Sequence, residues 1–370
     1  MLTTLPAARI HHPHDGEPSL RWGVVGPGWI AGEFVRAVHA HSAQRVVAVG
    51  SRDLGRARAF ADAHGIDRAH GEVEALLADP EVDVVYIATP HSEHAAIGLA
   101  AIALGKHVLI EKPITVSAAE ARELSAAARA AGVLVMEAMW TRYLPQTSVL
   151  RSLLDSGELG DVRSASADHG QRIIRPAEHR MYDPELGGGA LLDLGVYPAQ
   201  FLQMVLGAPT ALEVRGTVTA TGVDANAAVV STHADGAVST LYTSLLERTP
   251  TTATIAGTEA FVHLDGPFYN PTSFTVESAA HGAPSVRWQD PTMLRGFAAL
   301  SYEATALARY AGEGRVESPE HTHEETIAVM EMLETARTQV LAAGVLAPPQ
   351  DLASAPPARG ERAATAGASR

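Results

Sequence analysis

Residues 20–31 have the sequence LRWGVVGPGWIA, in which a short apolar run leads through a glycine-rich turn into a helical pattern. Gly26, Gly28 and Ala31 match the pattern G-x-G-x-x-A. Between a predicted strand and a predicted helix, this pattern indicates a dinucleotide-binding unit in which a pyrophosphate lies at the helix N-terminus. The alternative is an ordinary glycine-rich turn. The candidate cofactor-binding residues of the turn are Gly26, Pro27, Gly28, Trp29 and Ile30.

Strand and helix signals alternate around this turn. The apolar runs that predict strands are residues 20–25, 45–50, 83–89, 107–110 and 133–137. Helices are predicted over residues 29–41 and 54–64, in a stretch that ends at Leu104, and from a capping-box pattern at residues 117–120. Such alternation predicts a parallel sheet with helices on both faces, which is the Rossmann class.

The pattern changes near Met139. Helices are predicted over residues 145–156 and, at the end of the fold, over residues 322–343. The strands predicted between them are residues 162–167, 212–220, 227–233, 237–244, 252–264 and 273–276. Turn signals separate these runs, so a large, mainly antiparallel open sheet with few helices is expected.

The fold class is therefore α/β followed by α+β, and a length of 370 residues suits two domains. We predict a Rossmann domain over residues 20–139 and a substrate-binding and oligomerisation domain over residues 140–346. Residues 1–19 are expected to form a flexible tail. Residues 347–370, rich in Ala, Pro, Ser and Arg, are expected to be disordered.

Composition narrows the classes of function. The chain has no cysteine, which excludes disulfides, thiolate metal sites and cysteine nucleophiles. A formal net charge of −14 argues against binding to nucleic acid or to an anionic membrane. Since no apolar segment has the length of a membrane span and the first residues do not resemble a signal peptide, a cytoplasmic protein is expected.

The end of the second predicted strand bears on the choice of nucleotide. An acidic residue at this position usually binds the ribose 2′-hydroxyl of NAD(H). Here the strand continues into Ser51, Arg52 and Asp53. A hydroxyl and a guanidinium suit a 2′-phosphate, so NADP(H) is favoured, with NAD(H) as the weaker alternative because Asp53 is close. The other interpretation is that Ser51 or Asp53 caps the next helix and Arg52 is a solvated surface charge.

Three residues are candidates for the chemistry. Lys112 follows a predicted strand within Glu111-Lys112-Pro113, where ligands bind in open α/β sheets. Asp193 and Tyr197 are four positions apart and would share a face if residues 190–206 are helical. Three glycines precede them and would let the backbone approach a cofactor. The alternatives are an exposed loop lysine, a carboxylate at a helix N-terminus and a packed aromatic ring.

Four motifs together resemble the Gfo/Idh/MocA oxidoreductases over about residues 20–343. They are GPGWIA (residues 26–31), ATPHSEHAAIGLAAIALGKHVLIEKP (88–113), MEAMWTRYLP (136–145) and GGGALLDLGVYP (187–198). The third motif and Tyr197 resemble the branch of dimeric dihydrodiol dehydrogenases and NADP-dependent D-xylose dehydrogenases. Many members of the family have a histidine in place of Tyr197, and this departure points to the same branch.

The resemblance implies roles for individual residues. Tyr197 would be the general acid/base, Lys112 would tune and orient it, and Asp193 would position the substrate. The residues implied to line the cofactor are Thr89, Pro90, His94 and Glu111, with His91 either beside it or only capping. Trp140 and Arg142 would border the nicotinamide and the substrate. The C-terminal sheet would form the interface of a homodimer, or of a dimer of dimers.

The expected reaction is hydride transfer between NADP(H) and a CH–OH/C=O group of a sugar, polyol or cyclic diol, with pyranose oxidation at the anomeric carbon as the first choice. Reduction of a keto or deoxy sugar follows closely. The same scaffold could also serve a non-catalytic NADP-sensing protein or a semialdehyde-oxidising enzyme, since a fold does not by itself determine a function.

No functional metal is expected. Residues 11–14 (HHPH) would lie in the tail, with adventitious metal binding as their alternative. Residues 321–325 (HTHEE) would begin the last helix on its solvated face, and the alternative is that they ligate a metal. Residues 172–180 would form a loop with solvated charges, or alternatively contact an acidic substrate.

Overall fold

The computed structural model describes residues 4–280, 282–283 and 285–347. Within them the chain forms fourteen strands and nine α-helices. None of the helices in this described part is long and apolar enough to cross a membrane.

The first half of the chain forms a six-stranded parallel sheet. Its strands are β1 (Arg21–Val25), β2 (Arg45–Gly50), β3 (Arg68–His70), β4 (Val84–Ile87), β5 (His107–Glu111) and β6 (Val135–Ala138). Its helices are α1 (Trp29–His41), α2 (Leu54–His64), α3 (Val73–Leu77), α4 (His94–Ala103) and α5 (Ala118–Ala131). The spatial order is β3-β2-β1-β4-β5-β6, so the order reverses between β1 and β4, where ligands of such sheets bind.

The second half forms an eight-stranded sheet with four helices. The strands are β7 (Val162–Gly170), β8 (Ala211–Val218), β9 (Asp224–Thr232), β10 (Val238–Ser244), β11 (Ala253–Gly257), β12 (Ala260–Leu264), β13 (Phe274–Ser278) and β14 (Val286–Trp288). The helices are α6 (Pro145–Asp155), α7 (Val196–Leu206), α8 (Leu300–Gly312) and α9 (His323–Ala343).

This second sheet has the order β14-β13-β12-β11-β7-β10-β9-β8. Neighbouring strands are antiparallel except β7 and β10, which are parallel. Helices α7 and α9 pack against one face. Buried and outward-facing side chains alternate along β9, as expected of a sheet with one covered face.

The predicted fold class is confirmed: a Rossmann-like parallel sheet precedes a mainly antiparallel one. Helices α1 and α2 and strand β2 have the predicted bounds. Strand β3, with three residues, and helix α3, with five, are too short for a periodic signal.

Helix α8 was not expected either, because ten of its thirteen residues are buried, including the polar Ser301, Glu303 and Thr305. A helix covered on most sides lacks the polar stripe by which a surface helix is recognised. The predicted strand over residues 252–264 is divided into β11 and β12 by a turn at Thr258 and Glu259.

Part of the segment before β1 lies against the folded protein. His11 is buried, and its Nε2 lies 2.9 Å from Glu320 Oε2. The His11 ring contacts Tyr143 and Tyr310 edge-on. Within the segment expected to be a flexible tail, Leu5, Ala8 and Ile10 thus pack against the core and His11 finds partners on the second half, whereas most of residues 12–19 are exposed. The tail predicted at the other end lies, from residue 348, outside the described residues.

The predicted start of the last helix is confirmed, but not its environment. Thr322 and Glu325 form a capping box at the N-terminus of α9. His321 and His323 are buried rather than solvated, because His321 Nε2 lies 2.8 Å from Glu137 Oε2 and His323 bonds Ser125.

Candidate active site

A cleft of about 760 Å³ lies where the carboxyl ends of β1, β2, β4 and β5 face the second half of the chain. It brings together fifteen of the seventeen residues that the sequence marked as site candidates. They are Gly26, Pro27, Gly28, Trp29, Ile30, Ser51, Arg52, Thr89, Pro90, His91, Glu111, Lys112, Trp140, Asp193 and Tyr197. The roles assigned to these residues stay predictions.

The glycine turn after β1 has the form that a pyrophosphate requires. Gly26 has φ +90°, and a Cβ there would lie 2.7 Å from the Ala88 carbonyl oxygen, so only glycine fits. A Cβ at Gly28 would meet no atom within 4 Å, so this position faces open space. Gly28 precedes α1 and places no side-chain cap on it, which leaves the first amides of the helix free for an anion.

At the end of the cleft where an adenosine would lie, the three residues after β2 have different partners. Asp53 Oδ1 accepts hydrogen bonds from the amides of Gly55 and Arg56, so this carboxylate caps α2. Ser51 is buried at the rim and accepts from the Asp53 amide. Arg52 is exposed and lies 3.2 Å from Glu93. The capping alternative therefore applies to Asp53, and all three residues line the cleft.

Arg56 lines the same end of the cleft, and the sequence pattern did not single it out. It lies four positions after Arg52, a spacing that puts both guanidiniums near the first turn of α2. The four-residue spacing from Arg52 was the sequence signal that could have identified Arg56 as a lining residue.

Lys112 connects the two halves of the site. It follows β5, and its Nζ donates a hydrogen bond of 2.8 Å to the backbone oxygen of Asp193. The same Nζ lies 3.8 Å from Asp193 Oδ1 and 5.1 Å from the centre of the Tyr197 ring. Glu111, immediately before it, is buried and accepts a hydrogen bond of 2.5 Å from the Tyr86 hydroxyl.

Asp193 is a buried carboxylate surrounded by basic groups. Its Oδ1 accepts from Arg180 at 3.1 Å and lies 3.6 Å from His91 Nε2. Burial pushes the pKa of Asp193 upward, but Lys112 and Arg180 outweigh it and hold that pKa well below its ordinary value. Asp193 is therefore ionised at neutral pH, whereas burial lowers the pKa of His91 to about 3 and keeps that ring neutral.

Tyr197 lies at the centre of an aromatic cluster. Its ring stacks on Tyr269 with a centroid distance of 4.3 Å and an angle of 21°. Burial, followed by the nearby Tyr269 and Glu111, raises the pKa of Tyr197 well above its ordinary value. The phenol therefore holds its proton at neutral pH.

Asp193 and Tyr197 do not lie on one continuous α-helix. A π-helical turn, Leu191–Gly195, precedes α7, so the four-residue spacing spans a change of helix type. The turn is held from outside, because the Leu191 amide donates a 2.6 Å hydrogen bond to Asp224 Oδ2. Turns of this type recur at functional sites.

The three glycines before this turn serve packing rather than approach to a cofactor. A Cβ at Gly189 would collide with the Asp224 carboxylate, and Gly189 also has φ +123°. A Cβ at Gly188 would lie 2.7 Å from backbone oxygens of residues 180 and 181. The expectation that these glycines face the cofactor is therefore wrong.

The structure places two of the candidates, His94 and Arg142, outside the cleft. His94 is fully buried and lies 3.0 Å from the carbonyl oxygens of both Thr89 and Pro113. The Arg142 side chain is 0% exposed and bonds to Gln200 and Glu325. Both side chains join elements outside the cleft. The expectation that they contact the cofactor or the substrate is therefore corrected.

Several lining residues were not recognised from the sequence. They are Arg56, His169, Gln171, Tyr269, Phe297 and Leu300. Most follow strands or precede helices of the second half, where a sequence pattern does not show which loops meet the first half. Arg180, expected in a solvated loop, reaches the cleft and binds Asp193.

Comparisons with known proteins identify both halves of the chain. A family model described as "Oxidoreductase family, NAD-binding Rossmann fold" matches residues 20–139, and the GFO/IDH/MocA C-terminal domain matches residues 147–263. The trans-1,2-dihydrobenzene-1,2-diol dehydrogenase of Homo sapiens is 37% identical over 87% of this chain and 97% of the relative. That of Oryctolagus cuniculus is 38% identical over 86% of this chain and 97% of the relative.

Solved structures agree with this assignment. A 3-ketoreductase from Actinomadura kijaniata, in complex with NADP and TDP-benzene, superposes with a TM-score of 0.74 and 27% identity, covering 87% of this chain and 98% of that one. A levoglucosan dehydrogenase in complex with NADH has a TM-score of 0.79 at 19% identity, over 89% and 98% of the chains, and shows the shared fold alone.

Proposed function

Because the chain belongs to the Gfo/Idh/MocA oxidoreductase family, we propose that it is an NADP(H)-dependent dehydrogenase of sugars, polyols or cyclic diols. The observation that carries the proposal is the meeting of Lys112, Asp193 and Tyr197 in the cleft that also contains the glycine turn. A binding protein without turnover would have no need to keep a lysine, a carboxylate and a phenol together at this point.

The cofactor proposal is NADP(H) rather than NAD(H). Asp53, the acidic residue that would bind a free ribose hydroxyl, also lines the cleft, but its Oδ1 already caps α2. Ser51, Arg52 and Arg56 line the cleft beside it. Guanidiniums and a hydroxyl suit a 2′-phosphate. Residues 26–30, Thr89, Pro90 and Glu111 would line the rest of the dinucleotide. When bound, its nicotinamide C4 supplies or accepts the hydride.

The proposed proton chemistry belongs to Tyr197. In the reducing direction its protonated phenol donates a proton to the substrate oxygen, as its raised pKa favours. In the oxidising direction the phenolate accepts the proton of the substrate hydroxyl. Lys112, held against the Asp193 backbone oxygen, binds the substrate oxygen and favours the charged forms. Asp193, anchored by Arg180, accepts a hydrogen bond from the substrate.

The lining of the cleft supports a hydroxylated ring as the substrate. The lining combines polar groups at Lys112, Asp193 and Gln171 with the aromatic rings of Trp140, Tyr269 and Phe297. The Trp140 and Phe297 rings stack with 5.8 Å between centroids. An aromatic wall suits the apolar face of a sugar or cyclic diol, and the polar groups suit its hydroxyls. An aldose oxidised at its anomeric carbon is the substrate that we propose first, and a keto or deoxy sugar to be reduced is second.

We further propose a cytoplasmic homodimer formed through the uncovered face of the second sheet. Val230 and Val238 on β9 and β10 are 46% and 40% exposed, on the face opposite α7 and α9. Sedimentation at micromolar concentration measures the assembly, and a Val230→Lys/Val238→Lys double variant should sediment as a monomer. A wild-type monomer would contradict this part.

The function is tested by following NADPH absorbance with aldoses, inositols, ketosugars and dihydrodiols, using NADP+ and NAD+ in parallel. We expect turnover of at least one class and a preference for NADP+. Replacing Arg56 with Ala should weaken the binding of NADP+ about 10- to 100-fold, since one charged hydrogen bond to the 2′-phosphate is lost. The binding of NAD+ should be nearly unchanged. Inert substrates and no dinucleotide binding would end the enzyme proposal, and equal use of NAD+ would end the assignment of the nucleotide.

A further inference from the structure

A cluster of polar groups on the cleft wall has no part in the proposed proton transfer. It consists of His169, at the end of β7, Gln171, just after that strand, and Tyr269, in the loop before β13. All three line the same cleft as Lys112 and Asp193. We call them the His169–Gln171–Tyr269 cluster.

The state of His169 follows from its partners. Its Nδ1 lies 3.2 Å from the backbone oxygen of Leu194, which only accepts, so Nδ1 carries the hydrogen. Burial, followed by the charge of Lys112, lowers the pKa of His169 to about 4, so the ring is neutral at physiological pH. Its Nε2 is then an acceptor aimed at Gln171.

This ring orients the Gln171 side chain. Gln171 Nε2 donates to His169 Nε2 at 2.9 Å, which directs the amide nitrogen to the histidine. The Gln171 backbone is also held, since its amide donates to the Ser244 oxygen at 2.9 Å. The Tyr269 hydroxyl interacts with the same side chain. The carboxamide is thus held in place without any ionised partner.

The oriented carboxamide retains hydrogen-bonding capacity toward the cleft. An amide has two N–H donors and an oxygen with two lone pairs. His169 takes one of the donors and the Tyr269 hydroxyl takes one further position, so two of the four positions remain. Gln171 is an exposed residue within the cleft lining, so its remaining groups face the space that a substrate would fill. A neutral group that both donates and accepts matches a hydroxyl, which also does both.

The cluster is linked to Tyr197 by ring contacts. Tyr269 stacks on Tyr197 at 4.3 Å, and its centroid lies 4.7 Å from that of His169. His169 itself lies 5.5 Å from the Tyr197 ring. Gln171 lines the same cleft as Tyr197 and Lys112, so its carboxamide borders the space in which the proposed reacting oxygen would meet the Tyr197 phenol.

We infer that Gln171, oriented by His169 and Tyr269, binds the hydroxyl next to the one that reacts. The enzyme therefore selects vicinal diols, whether in a sugar ring or in a carbocycle, over secondary alcohols that lack the second hydroxyl. The inference rests on the proposed function, names the specificity residue for it, and does not depend on which diol is the natural substrate.

The test compares substrate pairs that differ in one hydroxyl. The pairs are trans-cyclohexane-1,2-diol with cyclohexanol, and D-glucose with 2-deoxy-D-glucose, each with NADP+. We expect kcat/KM of the wild type to favour the diol about 10- to 100-fold, as for one hydrogen bond to a neutral group in a closed site. Gln171→Leu should bring this preference below about threefold, mainly by lowering kcat/KM for the diol.

Two further variants separate specificity from structure. Arg172→Leu changes the neighbouring exposed residue, which does not line the cleft, and should keep the wild-type preference. Tyr269→Phe keeps the ring stack but removes the hydroxyl that contacts Gln171, and should lower the preference several-fold. The Kd of NADP+, followed by protein fluorescence, should be unchanged in all three variants.

The outcomes distinguish this inference from the proposed function. If the enzyme turns over no member of the two pairs and no substrate of the wider panel, the proposed function itself is contradicted. Turnover by the wild type with equal use of both members contradicts only the role of Gln171. A Gln171→Leu variant that keeps the full preference for the diol contradicts that role as well.

Discussion

At the scale of single residues, Lys112 and Tyr197 have different parts in the proposed chemistry: Lys112 supplies a positive charge and Tyr197 transfers a proton. Lys112 donates to the Asp193 backbone oxygen and lies 5.1 Å from the Tyr197 ring centre. Tyr197 is buried, and its pKa is raised well above the ordinary value. Little of the phenol would therefore be ionised at neutral pH, and the positive charge of the nearby lysine favours its deprotonation.

Replacing Lys112 with Met tests the charge. We expect kcat/KM to fall about 100- to 1000-fold, as when a donor to a developing oxyanion is removed. The Kd of NADP+ should change little, because the proposed position of the pyrophosphate is at the glycine turn. Lys106→Met is the control, since Lys106 is the only other lysine in the chain and its Nζ bonds the Asp79 and Val82 carbonyl oxygens. A Lys112→Met variant as active as wild type would exclude this role.

The pH dependence tests Tyr197. Because its pKa is raised, the phenolate needed for oxidation is a small fraction at pH 7, and this fraction grows with pH. The oxidation rate should therefore rise about tenfold per pH unit between roughly pH 7 and 9, whereas the reduction rate should stay level. Tyr197→Phe should lose about 100- to 10 000-fold in rate. An oxidation rate independent of pH, or unaffected by Tyr197→Phe, would contradict the assignment.

At the scale of elements, the π-helical turn Leu191–Gly195 depends on a residue of the second sheet. Asp224, on β9, accepts the Leu191 amide and is wholly buried. Burial, only partly offset by that hydrogen bond, raises the pKa of Asp224 from 3.8 to about 6. The element that positions Asp193 and Tyr197 is thus held by a carboxyl group that titrates close to neutral pH.

Asp224→Asn tests this support through stability. The folded protein binds the Asp224 proton more tightly than the unfolded chain, so the contribution of this group is fully present below about pH 4 and is lost as pH rises through about 6. The Asn variant keeps an acceptor for the Leu191 amide without the charge. It should exceed the wild type by about 2–3 kcal/mol in free energy of unfolding at pH 7.5, and by almost nothing at pH 4.

Urea denaturation at pH 4, 5 and 7.5 measures this difference. A gain that does not vary with pH would show that the charge of Asp224 is not its cause. A loss at every pH would show that the hydrogen bond needs the carboxylate.

At the scale of the whole molecule, both ends of the described chain are fastened to the second half. His11 is buried between Tyr143 and Tyr310 and bonds Glu320, 309 positions later in the chain. At the other end, the Ala347 amide donates to the Val218 oxygen of β8 at 2.8 Å. Neither contact touches the cleft, so both concern stability rather than turnover.

His11→Ala tests the first of these contacts. We expect the free energy of unfolding to fall by about 1–3 kcal/mol, because Glu320 loses a buried partner. Both kcat and KM should stay within about twofold of wild type, since His11 is remote from the cleft lining. His12→Ala, which changes an exposed neighbour, is the control. Equal stabilities of the two variants would mean that the segment does not dock in solution.

The predictability of the site varied with the origin of each residue. The residues of the first half follow strands of a parallel sheet, and all such strands end at one edge, so Gly26, Ser51, Thr89 and Lys112 could be placed together from their order alone. His94 and Arg142 belong to the same motifs as true lining residues. Their side chains bond partners outside the cleft, and short motifs do not show which way a side chain points.

The local sequence was sufficient wherever the controlling forces are local. Apolar periodicity, the steric demand at Gly26 and the caps of α2 and α9 act within a few residues, so the two sheets, the turn and most helices followed from them. The meeting of Lys112 with Asp193, the π-helical turn held by Asp224 and the His169–Gln171–Tyr269 cluster required the folded chain. The first two contacts join residues 81 and 33 positions apart, and burial and charge between such distant segments arise only once both halves have packed.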